Sequence, residues 1–477
     1  MLRNLSQRGL VAVGFLIALL PLLGFWLTGL TDLDEGYYGA IVAEMNRRGE
    51  WITPYYNGSP WFEKPILLYW IAKPFVALFG PIWGARMGVV VCAMLLYVLV
   101  YRFVRKHYGD YAGLGTMLVA ATSLILIVSG RMLITDGPLA LAFFLCLTGI
   151  YEGLKGEKQG WPIAGVGLGI SVLAKGPVGL VLIGLLVAWT AWKQPADRKV
   201  LAKATPLVLL IAFAIASTWY VPCYLANRDT FVQKFLIEQN LNRFKGGDLA
   251  HNAGGFFFYV PILLLGFAPW WWHLLKAWGD LNTRPELRLF ARWAVLVFVF
   301  FTISSAKLPH YILPMIPALA VVVGVHLFAA PTNQKGQVID SITPDLLRKP
   351  AMLAAGFCVL ANAALLYSYS AMGSRELHDL VRSVKGQKLG VFQLTRRNKA
   401  LGTGTLKLQE TSQPSIGFYL DDTYDDLETW EDLDRSAAKF ILTRPNRITD
   451  DDAALHRLVV KQKAENYTLF ERTDISR

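Results

Sequence analysis

"LVAVGFLIALLPLLGFWLTGLTDLDEGYY", residues 10–38, sets an apolar run directly against a cluster of acids and tyrosines. Residues 10–30 carry no charge and are long enough to cross a hydrocarbon core of about 30 Å, which takes roughly 20 helical residues. Arg3 and Arg8 precede the run as they would in a signal peptide. The run is longer than a typical signal-peptide core, however, and no small-x-small cleavage site precedes Asp32, so the stretch reads as an uncleaved anchor.

The rest of the chain extends that reading. Of 477 residues, 54% are hydrophobic, 13% aromatic and only 17% charged, which excludes an ordinary soluble domain. Apolar runs recur at roughly 10–30, 82–104, 112–130, 137–154, 161–174, 177–192, 204–224, 255–275, 289–304, 309–329 and 350–371, about eleven membrane spans. The expected fold is therefore mainly α, a polytopic membrane helix bundle of about 11–13 spans. The net charge of +12 does not point to nucleic acid, because Lys and Arg sit in short loops between spans rather than on one face. Cys92, Cys146, Cys223 and Cys358 are scattered singly and form neither a metal motif nor a disulfide framework.

Loop cations set the topology. Arg102, Arg105, Lys106, Lys155, Lys158, Lys193, Arg198, Lys199 and Lys203 fall on the side of the N-terminus, and the positive-inside rule makes that side cytoplasmic. The loop at about 31–81, Asp136, Lys175, the loop with Arg243, and the stretch from Lys307 to Tyr311 then all face the outside. The expected location is the inner (cytoplasmic) membrane, with an extracytoplasmic, periplasmic active face.

An odd number of spans also exports the C-terminus. Residues 1–372 are expected to form the membrane domain and 373–477 a small extracytoplasmic α/β domain. In the latter, "RELHDLVRSV" is helix-like, and "KLGVFQL", "SIGFYL", "AAKFILT" and "NYTLFER" are strand-like. It carries no catalytic motif, so docking, a lid or structural support all remain open.

On the outer face, Asp32 and Glu35 have capping-box spacing, and the run to Gly49 reads as a short helix. Asp34 and Glu35 fit either of two roles: stabilising the positive end of a helix dipole, or acting as a base or orienting carboxylate at the membrane surface. Asp136, before Gly-Pro, fits a helix N-cap or a second functional acid on the same face. The cations in "WFEKP", "LAKGPVGL", "NRFKGG" and "AKLPHYILP", namely Lys64, Lys175, Arg243 and Lys307, are either snorkelling side chains or a clamp for a lipid-linked phosphate. Tyr37, Tyr38, Trp51, Tyr55, Tyr56, Trp61 and Phe62 suit an interfacial aromatic belt, and some of them suit contacts with a sugar.

The Asp-Glu pair after the first span, "GEWITPYYNGSPWFEKP", "ITDGPL", "LAKGPVGLVL" and "KLPHYILPMIPALA", in that order, resemble the bacterial members of the GT-C glycosyltransferases. Those members include the aminoarabinose transferases that modify lipid A, and the protein O-mannosyltransferases are their relatives. The resemblance spans residues 1 to about 330 and implies an inverting transfer of a sugar from a polyprenyl-phosphate donor to an extracytoplasmic acceptor: lipid A, another envelope glycan or a protein hydroxyl. It implies Asp34 as the main catalytic carboxylate with Glu35 and Asp136 beside it, and Lys64, Arg243, Tyr311 and Lys307 as ligands of the donor phosphate. Tyr37, Tyr38, Glu63 and Lys175 are further substrate-binding candidates. No cofactor is required, although the acids Asp34, Glu35 and Asp136 leave a divalent cation open.

The pattern departs from aminoarabinose transferases at Tyr37, where Asp-Glu-x-Arg-Tyr has Arg, and at Glu238-Gln239, where Glu-His is usual. Two other classes are weighed. A transporter or flippase of polyprenyl-linked sugars would favour a midplane site and internal repeats, and neither is visible. An envelope scaffold would leave the convergent acids and cations unexplained.

Overall fold

The structure is a computed structural model that describes residues 5–242, 255–305, 307–329, 343–371, 373–394 and 413–475. It is mainly helical, with a small sheet in the C-terminal part. In chain order the helices are α1 (Gln7–Leu19), α2 (Asp34–Arg47), α3 (Leu67–Ala121), α4 (Leu124–Ser129), α5 (Asp136–Leu154), α6 (Gly160–Lys175) and α7 (Val178–Lys193). There follow α8 (Arg198–Phe231), α9 (Tyr259–Gly266), α10 (Leu274–Gly279), α11 (Arg288–Ile303), α12 (Ile316–Phe328), α13 (Pro344–Ala371) and α14 (Ser374–Ser383).

Among the described residues five helical stretches are long and apolar enough to cross a membrane: Leu67–Ala121, Asp136–Leu154, Pro195–Gln239, Pro309–Phe328 and Pro344–Ala371. Gln7–Leu22, Gly160–Lys175 and Val178–Lys193 are shorter apolar helices. Every one of the expected apolar runs contains helix, but the bounds differ for physical reasons. The run α3 takes in the expected span 82–104 and most of 112–130, and is broken at Gly80 (φ 74°) and Gly109 (φ 90°), whose positive φ lies outside the right-handed helix. The first span is shorter than 10–30: α1 ends at Leu19, and a 3₁₀ turn over Leu20–Leu22 carries Pro21, which has no N–H to continue an α-helix.

The packing separates two compact units. The first comprises Met1–Gly24, Phe62–Leu68 and Gly88–Ala361, the second Phe25–Trp61, Tyr69–Met87 and Asn362–Arg477. In the first unit α5 packs along α6, α6 along α8, and the turn Pro309–Met315 against α5 and α11. α12 is buried over Ile316–Val325, as a helix that is apolar on all sides must be when other helices surround it.

In the second unit α2 is buried continuously from Glu35 to Met45 and packs on the short helix Ser415–Leu420. A hairpin, β1 (Tyr55–Tyr56) and β2 (Ser59–Pro60), turns through Asn57-Gly58, the dipeptide that suits a two-residue turn. The C-terminal sheet has β3 (Leu389–Phe392), β4 (Asp425–Leu427), β5 (Phe440–Thr443), β6 (Leu458–Lys463) and β7 (Thr468–Arg472) in the order β4-β3-β5-β7-β6. β3 pairs in parallel with β4 and β5, and β7 runs antiparallel to β5 and β6. Phe392, Leu427, Leu433, Ile441, Leu458 and Phe470 form the core on one face, each such side chain contributing about 1.5–3 kcal/mol when fully buried.

"SIGFYL" is a helix, not the expected strand, with Pro414 as its N-cap. All six of its residues are buried, and a short run that is apolar throughout has no period by which helix and strand can be told apart. The edge strands β4 and β6 were not expected. β4 reads Asp-Asp-Leu, and β6 exposes Val459 and Val460 before Lys461 and Lys463, so neither shows the half-buried alternation that marks a strand.

Candidate functional site

In the second unit, the acids of the opening motif have three different surroundings. Asp34 is the first residue of α2, half-buried, and among the described residues no hydrogen bond or ion pair involves its carboxylate. Asp34 and Glu35 in the first turn and Arg47 in the last complement the helix dipole.

Glu35 is 0% exposed and lies with Arg86, itself 1% exposed, in a bidentate pair: Arg86 Nε to Oε1 at 2.7 Å and Nη2 to Oε2 at 2.7 Å. The Oε2 atom also accepts from Thr31 N–H (3.1 Å) and Thr31 Oγ1 (2.6 Å). Arg86 further donates to the carbonyls of Phe25 (2.9 Å), Thr28 (3.2 Å) and Gly29 (2.9 Å) and to Thr28 Oγ1 (3.1 Å). Both Glu35 oxygens are thus engaged within the fold, and Glu35 clamps the segment that leads into α2.

Asp32 does not form the expected capping box. The N-cap is Leu33, with no side-chain cap, and the Asp32 carboxylate turns instead to Ser415, accepting from its N–H (2.9 Å) and Oγ (2.7 Å). This contact leaves no room at Gly36, where a Cβ would run into the Asp32 carboxylate. Burial pushes the Asp32 carboxyl up to about 7, with the nearby Glu35 charge adding to the rise and the two Ser415 hydrogen bonds opposing it. A raised carboxyl pKa favours the fold most where the unfolded chain is also protonated, and that contribution is lost as pH rises through about 7. Thermal unfolding at pH 5 and pH 8 checks this: the wild type is expected to lose more stability over that step than Asp32→Asn, and equal losses would show that Asp32 does not titrate there.

Tyr37 and Tyr38 are buried. Tyr37 stacks on Trp61 (5.2 Å, 14°) and packs at 4.9 Å from Tyr56, while Tyr38 lies 6.1 Å from Tyr69. They pack the interior around α2 rather than forming an open aromatic surface.

The first unit holds a second constellation. Asp136, 1% exposed, is the first residue of α5 and also not an N-cap. Its Oδ1 pairs with Lys175 Nζ at 2.6 Å, and its Oδ2 accepts from Thr135 Oγ1 (3.2 Å) and lies 3.6 Å from His310 Nε2. Lys175 ends α6 because Gly176 takes φ 75° immediately after it, a conformation open to glycine. The same ammonium stands 4.0 Å over the Tyr311 ring. Helices α5 and α6 and the turn at 309–315 thereby bring Asp136, Lys175, His310 and Tyr311 together, with two of the four carrying or able to carry positive charge.

Lys64 pairs with its neighbour Glu63 at 2.8 Å, and both are mostly buried. Lys307 donates to the Ser304 carbonyl at 2.8 Å. Arg243 lies outside the described residues. No group of three or more His, Cys, Asp and Glu among the described residues is placed to hold a metal ion.

Two residues were missed from the sequence. Arg86 had a signal, since a lone arginine in an apolar helix must find a buried partner. His310, within "KLPHY", carries no such signal, because only packing brings its ring to Asp136.

The profile of the dolichyl-phosphate-mannose-protein mannosyltransferase family matches residues 63–221. An uncharacterised protein of Aquifex aeolicus is 33% identical over 322 residues, covering 66% of this chain and 73% of that protein. The undecaprenyl phosphate-alpha-4-amino-4-deoxy-L-arabinose arabinosyl transferase of Photorhabdus laumondii is 29% identical over 65% of this chain, and the chain spans 57% of that enzyme's length. The crystal structure of ArnT from Cupriavidus metallidurans bound to undecaprenyl phosphate shares the fold, with a TM-score of 0.79 at 20% identity over 98% of each chain. The chain thus belongs to one family with the uncharacterised Aquifex aeolicus protein, and in its central segment and its mainly helical, multi-pass fold it resembles the membrane glycosyltransferases, the aminoarabinose transferases and the protein mannosyltransferases among them.

Proposed function

We propose that the protein transfers a sugar, aminoarabinose or a related pentose or hexose, from a polyprenyl-phosphate donor to an acceptor on the extracytoplasmic side of the inner membrane. In this reading residues 1–372 form the transferase domain and 373–477 an extracytoplasmic domain. The observation that carries it is Asp34: a half-buried carboxylate without a partner among the described residues, presented by a helix that is otherwise buried and clamped by Glu35 and Arg86.

The chemistry asks for two things. The acceptor oxygen attacks the anomeric carbon as the bond from that carbon to the donor phosphate breaks, so the sugar inverts and polyprenyl phosphate leaves. A hydroxyl acceptor gives its proton to Asp34, whereas a phosphate acceptor such as that of lipid A is already a nucleophile, and Asp34 then orients it. The leaving phosphate needs no proton if cations neutralise it, which is the role of Lys64 and Arg243 with the Tyr311 hydroxyl and Lys307. Asp136, held by Lys175, fixes the surroundings of Tyr311 in that arrangement.

The phosphate role is tested with undecaprenyl phosphate as the probe. One charge-assisted hydrogen bond contributes about 1.5–3 kcal/mol, so Lys64→Ala should weaken binding by about 10- to 100-fold. A variant with unchanged affinity would remove Lys64 from the phosphate.

A further inference from the structure

The segment that leads into α2 is held by residues from the far end of the chain, within the same compact unit. Leu30 N–H donates to the Tyr419 hydroxyl at 2.7 Å. Asp32 accepts from both Ser415 N–H and Ser415 Oγ. Ser415 Oγ in turn lies 3.1 Å from His378 Nε2, and His378 Nδ1 lies 2.8 Å from the Tyr369 hydroxyl. Burial, with Arg382 and Arg86 nearby, holds His378 well below its ordinary range, so the ring is neutral and has one donor and one acceptor nitrogen to close the chain.

The fit is tight at both ends. A methyl at Gly29 would collide with the Tyr419 and Tyr369 hydroxyls and His378 Nδ1, and one at Gly36 would collide with the Asp32 carboxylate and the Ser415 backbone nitrogen. Ser415 and His378 are both 0% exposed, which rules out an adventitious surface contact. A buried polar network that is fully satisfied specifies one geometry. What it specifies here is the path of residues 29–32, and Asp34 follows two residues later.

We propose that Ser415, backed by His378 and Tyr369, is a positioning residue for sugar transfer: through Asp32 it fixes the first turn of α2 and so the direction in which Asp34 points. This rests on Asp34 being the catalytic carboxylate. It also gives the C-terminal segment, which carries no catalytic motif, a definite part in the reaction.

The test uses the full chain in detergent, with Ser415→Ala, Ser415→Thr and Asp34→Asn beside the wild type. Three quantities are read: hydrogen exchange over residues 28–38, affinity for undecaprenyl phosphate, and sugar transfer followed by mass spectrometry of lipid extracts from complemented cells. Losing the Ser415 hydroxyl, and with it the bonds to Asp32 and His378, is expected to speed exchange in 28–38 by about fivefold to tenfold and to reduce transfer by about tenfold. Exchange over 136–154 and undecaprenyl phosphate affinity should stay at wild-type values. Ser415→Thr, which keeps the hydroxyl, should recover transfer.

Unchanged exchange and transfer in Ser415→Ala, while Asp34→Asn is inactive, would overturn the positioning role alone. Loss of exchange protection along the whole chain, with no recovery in Ser415→Thr, would overturn it in favour of a purely structural role. An active Asp34→Asn would overturn the reading of Asp34 and this inference with it.

Discussion

Asp34→Asn is expected to abolish sugar transfer and leave the fold intact. Asparagine keeps the size and hydrogen-bonding reach of aspartate but can neither take a proton from a hydroxyl acceptor nor bring a negative charge to the reacting carbon. A positioned general base contributes about 10²- to 10⁴-fold, so activity should fall by about that factor. The structural loss is small. No hydrogen bond or ion pair of Asp34 is broken among the described residues, and the acid's favourable place at the start of α2 is worth about 0.3–1 kcal/mol. Thermal unfolding and undecaprenyl phosphate binding of the purified variant check the second half of the expectation. A variant that is inactive because it is unfolded would give no support to the catalytic role.

Arg86→Met should do the reverse, damaging the fold first. Removing one member of a buried ion pair strands the other, at a cost of about 3–5 kcal/mol. The stranded group here is Glu35, and the carbonyls of Phe25, Thr28 and Gly29 lose a donor as well. The expected result is a large drop in unfolding temperature together with rapid hydrogen exchange over residues 25–38. The double variant Arg86→Met/Glu35→Leu should recover part of the loss, because an apolar pair of similar volume does not leave a buried charge unpaired. A stable Arg86→Met protein with slow exchange in that segment would show that the clamp does not hold it.

Length and hydropathy make most of the membrane part legible in the sequence: each apolar run holds helix, and the charged interruption after the first run leads into the short helix α2, which begins at Asp34. The bounds moved where a single residue controls the backbone, at Pro21 in the first run and at Gly80 and Gly109 in α3. In the C-terminal part, "KLGVFQL", "AAKFILT" and "NYTLFER" contain strands because β-branched and aromatic residues lie at buried positions in each, while "SIGFYL" folds as a helix against α2.

The chemistry was legible as residue types and not as partnerships. Lys175 and Asp136 were both singled out, yet nothing in their spacing says that they share a hydrogen bond of 2.6 Å. Asp32 and Glu35 have a capping box's spacing, but their carboxylates go to Ser415 and Arg86, which are 383 and 51 residues away in sequence. The Asp32–Glu35 box is absent: Asp32 turns to Ser415, and Glu35 keeps a local bond to Thr31 while pairing with Arg86. Local patterns can offer only the bonds within reach of one turn, and a buried carboxylate is better satisfied by a guanidinium or by two donors from one serine.

The central claim, a transferase working through Asp34, is tested most directly by mass spectrometry of lipid extracts, including lipid A where it is present. Cells lacking this gene would be compared with the same cells complemented by the wild type or by Asp34→Asn. The expected result is that the null and Asp34→Asn cells both lose a sugar from an envelope acceptor or accumulate a polyprenyl-phosphate sugar, and that the wild type reverses the change. Full complementation by Asp34→Asn, or lipid and acceptor pools that do not differ between null and wild-type cells expressing the protein, would contradict it.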